Sequence, residues 1–185
     1  MRNEFTQVAA AVAALANPPW CDDFVSRHLE FQRGVHVVPL ETPTLPPATH
    51  TNAYVLGTKE LLLVDPGAPD EAEARKLVTV VKELEASGCV PKAIVLTHHH
   101  GDHTGGVKAV AEALGLPVWA HERTAGRVPV PIARQLADGE VLTLDGPMPM
   151  RWRVLHTPGH ASGHVCLFDE RSHAGIVGDM VSTVS

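Results

Sequence analysis

Seven consecutive residues, Thr97-His98-His99-His100-Gly101-Asp102-His103, hold four imidazoles and a carboxylate. They follow directly on an apolar run, Ala93-Ile94-Val95-Leu96. Neutral imidazole nitrogen and carboxylate oxygen are the donors that a borderline divalent cation such as zinc prefers. In an extended segment alternate side chains share a face, so His98 and His100 can reach one ion while His99 points away. Gly101 then turns the chain, and Asp102 and His103 can address a second ion beside the first. The bland alternative is a polar surface turn that happens to be rich in histidine. Spacing, and placement just past a strand, favour the metal centre.

Two later stretches strengthen that reading. His156-Thr157-Pro158-Gly159-His160 follows the strand-like run Trp152 to Leu155, and Gly178-Asp179 follows Gly175-Ile176-Val177. Each puts a donor just past a strand end, where loops gather into a site. Asp65 ends a further apolar run, Leu62-Leu63-Val64, ahead of Pro66-Gly67. A carboxylate there could bind metal or support residues that do. Ser162 offers no rival nucleophile, because Gly159-His160-Ala161-Ser162-Gly163 lacks the symmetric glycines of a nucleophile elbow. His121 and His156 are candidates for hydrogen bonds near the site. His28, His36, His50, His164 and His173 read as surface or satisfied core residues.

The pattern His98-x-His100-x-Asp102-His103, then His160, then Asp179, with Asp65 before them, resembles the metallo-β-lactamase fold superfamily from about Val35 to Asp179. Within it, the phrases Asn52 to Leu56 and His156 to Gly163 look most like the glyoxalase-II-like and "β-lactamase-like protein 2"-like hydrolases. The resemblance implies an α/β fold, an αββα sandwich of two mixed β-sheets with outer helices. It implies that His98, His100 and His160 hold one ion with a fourth position open, as in catalytic zinc sites. Asp102 and His103 would bind a second ion, and Asp179 would bridge both. Asp102 would also pass a proton to the leaving group, while Asp65 and His156 would act from behind the ligands.

The implied activity is hydrolysis of an ester, thioester, lactone, lactam or phosphoester by a zinc-activated hydroxide, with one or two Zn2+ ions and iron or manganese as substitutes. Two rivals stand beside it: a mononuclear iron dioxygenase of the persulfide-oxidising kind, and a catalytically incomplete metal-binding fragment. The superfamily adds a last histidine well downstream of the bridging aspartate, and none follows Asp179 in these 185 residues. The C-terminal part of the fold is therefore expected to be incomplete. That would weaken the second site and favour self-association, or a complementing C-terminal segment that supplies a donor.

The elements that must position these residues are legible in outline. Val35 to Leu40, Tyr54 to Leu56 and Leu61 to Val64 read as strands, the last two joined around Gly57-Thr58-Lys59 as a hairpin. Pro39, Pro43, Pro46 and Pro47 make the intervening stretch a stiff, non-helical loop. Asp70 to Ala86 is an amphipathic helix with Ala74, Leu77, Val78, Val81 and Leu84 on its buried stripe. Val107, Val110, Ala111 and Leu114 mark a second helix closed by Gly115. Its N-terminus falls beside Asp102 and His103. Pro117 to Ala120, Val141 to Leu144, Arg151 to Leu155, Val165 to Phe168 and Gly175 to Val177 are strand candidates. Residues 128–136 read as a loop with a short helical turn, and Asp22 to Gln32 as a short helix stopped by Gly34.

Composition sets the outer limits. With 44% hydrophobic residues, 185 residues suffice for one domain with a real core. A domain over 35–185 is expected, preceded by an N-terminal helical segment over 1–34. The alanine-rich run Val8 to Ala16 is a helix in preference to a signal peptide, since Glu4 spoils a basic leader. A net charge of −6 disfavours nucleic acid, and the resemblance implies a small-molecule substrate. No run approaches the roughly 20 apolar residues of a membrane helix. The three cysteines are scattered, which fits reduced thiols in a cytoplasmic protein.

Overall fold

The computed structural model describes residues 29–181, so the helix expected over Val8 to Ala16 lies outside the described residues. Among these, a seven-stranded sheet has the order β1 (Leu29–Gln32), β2 (Val35–Glu41), β3 (His50–Leu56), β4 (Glu60–Val64), β5 (Val90–Val95), β6 (Val118–His121) and β7 (Ile132–Leu136). β1 to β4 pair antiparallel, and β4 to β7 pair parallel. A four-stranded antiparallel sheet holds β8 (Val141–Leu144), β9 (Met150–His156), β10 (Val165–Asp169) and β11 (Ala174–Ile176) in the order β11-β10-β9-β8. The α-helices are α1 (Glu71–Ala86), the single turn α2 (Gly101–Thr104) and α3 (Val107–Leu114), and short 3-10 turns cover Glu122–Thr124 and Gly178–Met180.

Side-chain alternation along the central strands explains how these layers stack. On β4, Leu61 and Leu63 face Leu77 and Val81 of α1 and Val107 and Val110 of α3. Leu62 and Val64 face the other way, against Leu142, Trp152, Val154 and Leu167 of the smaller sheet. On β5, Ile94 takes the helix side, and Ala93 and Val95 the sheet side. A strand buried on both faces must be apolar throughout, which is why Leu61 to Val64 and Ala93 to Leu96 read as unbroken runs. The result is a layered α/β sandwich whose helices cover the larger sheet.

Local chemistry fixes the boundaries. The Asp70 carboxylate accepts hydrogen bonds from the Ala72 and Glu73 amides at 2.8 and 3.1 Å, so α1 starts one residue later than its apolar period suggests. Val80 joins Ala74, Leu77 and Val81 as fully buried, whereas Val78 and Leu84 are only partly buried.

Two expectations are corrected. The helix read over Asp22 to Gln32 is a strand where it is described: Leu29–Gln32 pairs antiparallel with β2, Glu30 opposite His36. Gly34 turns the chain at φ 78 so that this segment folds back on β2, and backbone pairing sets the strand, since Leu29 and Phe31 are both exposed. The stretch 128–136 contains β7, which extends the parallel half of the sheet beside β6. Ala133, Arg134 and Gln135 are exposed there, so no apolar period marked it.

Candidate metal centre

The chemistry-bearing segments all meet at one end of the sandwich. Asp65 follows β4, Thr97 to His103 follow β5, His156 to His164 join β9 to β10, and Asp179 follows β11. The two sheets are tied together at this end by the Val165 amide donating to the Thr97 carbonyl at 2.8 Å.

The structure brings His98, His100, His160 and Asp179 together, with one donor atom from each lying within 4.8 Å of the others. Asp102, His103 and Asp179 form a second such group, so the Asp179 carboxylate is common to both. His160 Nε2 lies 2.7 Å from His100 Nδ1 and 3.3 Å from Asp179 Oδ2, and His98 Nε2 lies 3.9 Å from the same oxygen. Donors held tetrahedrally at 2.0–2.1 Å from one zinc ion sit about 3.3 Å apart, which these separations straddle. On the other side of the carboxylate, His103 Nε2 is 3.0 Å from Asp179 Oδ1.

Asp65 sets the orientation of two of these rings. It is 1% exposed and sits at φ 51, a left-handed conformation that a non-glycine residue adopts only at a cost. Its carboxylate accepts from the Thr97 amide at 2.7 Å, from Thr97 Oγ1 at 2.6 Å and from His103 Nδ1 at 2.8 Å. Thr97 has a single hydroxyl proton, and the carboxylate takes it. The 3.0 Å contact between Thr97 Oγ1 and His98 Nδ1 is therefore an imidazole N–H donating to the hydroxyl oxygen. That leaves the lone pair of His98 on Nε2, which is buried and has no hydrogen-bond partner among the described residues. A buried nitrogen so stranded costs about 1–3 kcal/mol, and a cation is the partner a lone pair can take. These residues fit a divalent metal.

Electrostatics agree with the geometry. Burial holds His98 down to about 2, reinforced by the charges of His103 and His164, so the ring is neutral at any physiological pH. His103 is different. Burial opposes its charged form, but hydrogen bonds to Asp179 and Asp65 outweigh this and raise it to about 10. Asp179 is lowered to about 2, first by the hydrogen bond from His103.

The remaining candidates fall around the two groups. Asp102 and His103 lie on α2, a separate helical turn ahead of α3, where the sequence placed them only beside the N-terminus of that helix. α2 is pressed against the residues after Asp65, where a Cβ on Gly67 would lie 1.9 Å from the Asp102 carbonyl oxygen. His99 belongs to neither group. His156 Nε2 donates to the Ser162 carbonyl at 3.0 Å, bracing the loop that carries His160, and His121 stacks on His156 with ring centroids 4.1 Å apart.

His164 corrects an expectation. Read as a surface or satisfied core residue, it is 0% exposed, packs its ring 5.0 Å from that of His98, and has no partner for Nε2 among the described residues. Its one sequence signal was its place three residues after Ala161, at the mouth of β10 beside the His160 loop.

Comparison with known proteins agrees with this arrangement. The family model described as the metallo-beta-lactamase superfamily matches residues 46–185. Lactamase-like protein aptB of Emericella nidulans is 34% identical over 135 residues, covering 71% of this chain and 40% of that protein. A hydroxyacylglutathione hydrolase of Cereibacter sphaeroides is 32% identical over 145 residues, covering 77% of this chain and 52% of its own length. The chain thus spans about half or less of these relatives. Among solved structures, TTHA1623 in a di-iron-bound form is 33% identical, with a TM-score of 0.56 over 78% of this chain and 74% of that one. The histidine and aspartate loops gathered at one end of a two-sheet sandwich have the same source as these similarities: the chain belongs to the metallo-beta-lactamase superfamily.

Proposed function

We propose that this chain carries the metal centre of a hydrolase, binding zinc and cleaving an acyl thioester. The observation that carries the reading is the His98 tautomer, fixed through Thr97 and Asp65 so that a buried, unpartnered Nε2 lone pair faces His100, His160 and Asp179. His98, His100 and His160 would hold one ion, Asp102 and His103 a second, with Asp179 between them. A bound divalent ion supplies hydroxide near neutral pH, by lowering the pKa of water from 15.7 to about 7, and a Lewis acid for the carbonyl.

The chain's own residues then have distinct tasks. Asp65 keeps His103 aimed through Nδ1 and His98 aimed through Thr97. The partly buried Asp102 carboxylate is placed to carry a proton toward a leaving group. A thiolate leaving group would not need that proton, so the Asp102 role does not select among substrates. The thioester class is supported by the hydroxyacylglutathione hydrolase similarity. The similarity to a di-iron-bound protein makes iron the second choice of metal. A reducing, cytoplasmic setting fits the free thiols Cys89 and Cys166. Among the described residues no helix is long and apolar enough to cross a membrane.

The test is zinc titration by calorimetry, followed by a screen of acyl thioesters, lactones, β-lactams and phosphoesters. One tight equivalent and a second, weaker one are expected, because Asp102, His103 and Asp179 offer the second ion only three donors among the described residues. Thioester hydrolysis should depend on added zinc and disappear in His98→Ala. Failure to bind zinc would sink the reading. Iron content with oxygen uptake on a persulfide would replace it with the dioxygenase.

A further inference from the structure

We propose that His164, which belongs to neither donor group, is a positioning residue that locks the loop carrying His160 and the turn carrying Asp179 into one arrangement against His98. This rests on the metal-centre reading above.

One ring touches three ligand-bearing segments. Its Nδ1 is 2.9 Å from Thr157 Oγ1, at the start of the His160 loop. The same loop is closed by the Thr157 amide donating to the His164 carbonyl at 2.9 Å and the His164 amide donating to the Ala161 carbonyl at 3.1 Å. Thr157 Oγ1 is also 3.3 Å from Cys166 Sγ, and that thiol donates to the Val177 carbonyl at 3.7 Å. The hydrogen-bonded chain from His164 therefore ends one residue before Gly178-Asp179. The far edge of the ring meets that turn directly. A Cβ on Gly178 would lie 2.6 Å from His164 Nε2 and 3.1 Å from Cε1, and Gly178 itself is left-handed at φ +49. The ring face packs on His98, with centroids 5.0 Å apart and planes at 31°.

A fully buried position that only needed filling would be served better by leucine, which leaves no stranded nitrogen. The polar ring is explained by the two loops it joins. The reach of Nδ1 to Thr157 fixes its rotation, and that rotation sets how closely the Asp179 turn can approach.

The test uses the full chain, zinc affinity by chelator competition, and the absorption spectrum of the Co2+-loaded protein. His164→Leu should keep its circular dichroism and melting temperature yet bind zinc about 10- to 100-fold more weakly, the usual effect of removing a residue that orients ligands. Its cobalt spectrum should change. His164→Asn, whose amide can stand in for Nδ1 toward Thr157, should recover part of the affinity. A packing role predicts the reverse order, with leucine as good as histidine and asparagine worse. If His164→Leu does not fold, Thr157→Val decides, since it cuts the link while leaving the ring. Wild-type zinc affinity and an unchanged cobalt spectrum in these variants would overturn the role of His164 alone. A wild-type protein that takes up no metal would overturn the centre itself and this role with it.

Discussion

The pH behaviour of the metal-free centre is concentrated in one imidazole. His103, between Asp65 and Asp179, is raised from 6.5 to about 10, against its burial, by hydrogen bonds to those two residues. A group whose pKa rises on folding stabilises the fold fully below its unfolded value, and this stabilisation is lost as pH climbs through the folded value. The metal-free protein should therefore lose melting temperature between about pH 6.5 and 10. Asp179, lowered from 3.8 to about 2, acts in the opposite sense, and its contribution fades as pH falls through that interval. Thermal melts in chelator across this range check the first claim. Asp65→Asn should flatten the alkaline decline, because it removes one of the two carboxylates that keep His103 charged. An Asp65→Asn melt as steep as that of the wild type would show that Asp179 alone sets the His103 charge.

At the scale of elements, α2 is held by contact and not by its own length. Four residues make a single turn, and its second residue packs beside a loop where Gly67 admits no side chain: a Cβ there would sit 1.9 Å from the Asp102 carbonyl oxygen. Gly67→Ala should push α2 away and weaken the second zinc equivalent much more than the first, since only Asp102 and His103 ride on that turn. Calorimetric titration resolves the two equivalents, and equal weakening of both would contradict this account. The element scale is also where sequence reading reached furthest and then stopped. Doubly buried strands such as β4 and β5, and α1 with its buried stripe, were visible because burial imposes an apolar pattern on them. β7 was not, because its pairing with β6 is backbone chemistry and three of its side chains face solvent. The donor residues were legible from type and spacing. His164 was not, because its closeness to His98 arises from the pairing of two sheets, which no local spacing encodes.

At the scale of the whole molecule, a bound ion would be a cross-link. His98 and His100 leave the larger sheet after β5, whereas His160 and Asp179 leave the smaller sheet after β9 and β11. A ligand that binds only the folded state stabilises it by about 2.7 kcal/mol at a hundredfold excess over Kd. Saturating zinc should thus raise the melting temperature by about 5–10 °C, at 2–4 °C per kcal/mol for a chain of this size. Chelator should reverse the shift, and His160→Ala should abolish most of it. An unchanged melt would mean that zinc does not bind the folded chain, with its two joined sheets, in preference to the unfolded one.

They are indeed also fastened at the opposite pole. There the Glu60 amide donates to the Asp145 carbonyl at 3.0 Å, the Glu60 carboxylate accepts from the Asp145 amide at 3.0 Å, and Thr58 Oγ1 donates to the Met148 carbonyl at 3.0 Å. This clasp stands a full strand length from the histidines. The scaffold thus behaves like a hinged book whose spine and reading edge are separate. Insertions or tags grafted near Gly115, a tight turn whose Cβ position meets nothing within 4 Å, would burden neither, whereas near Gly88 they would load the clasp, because the Val90 amide donates to the Lys59 carbonyl at 2.7 Å.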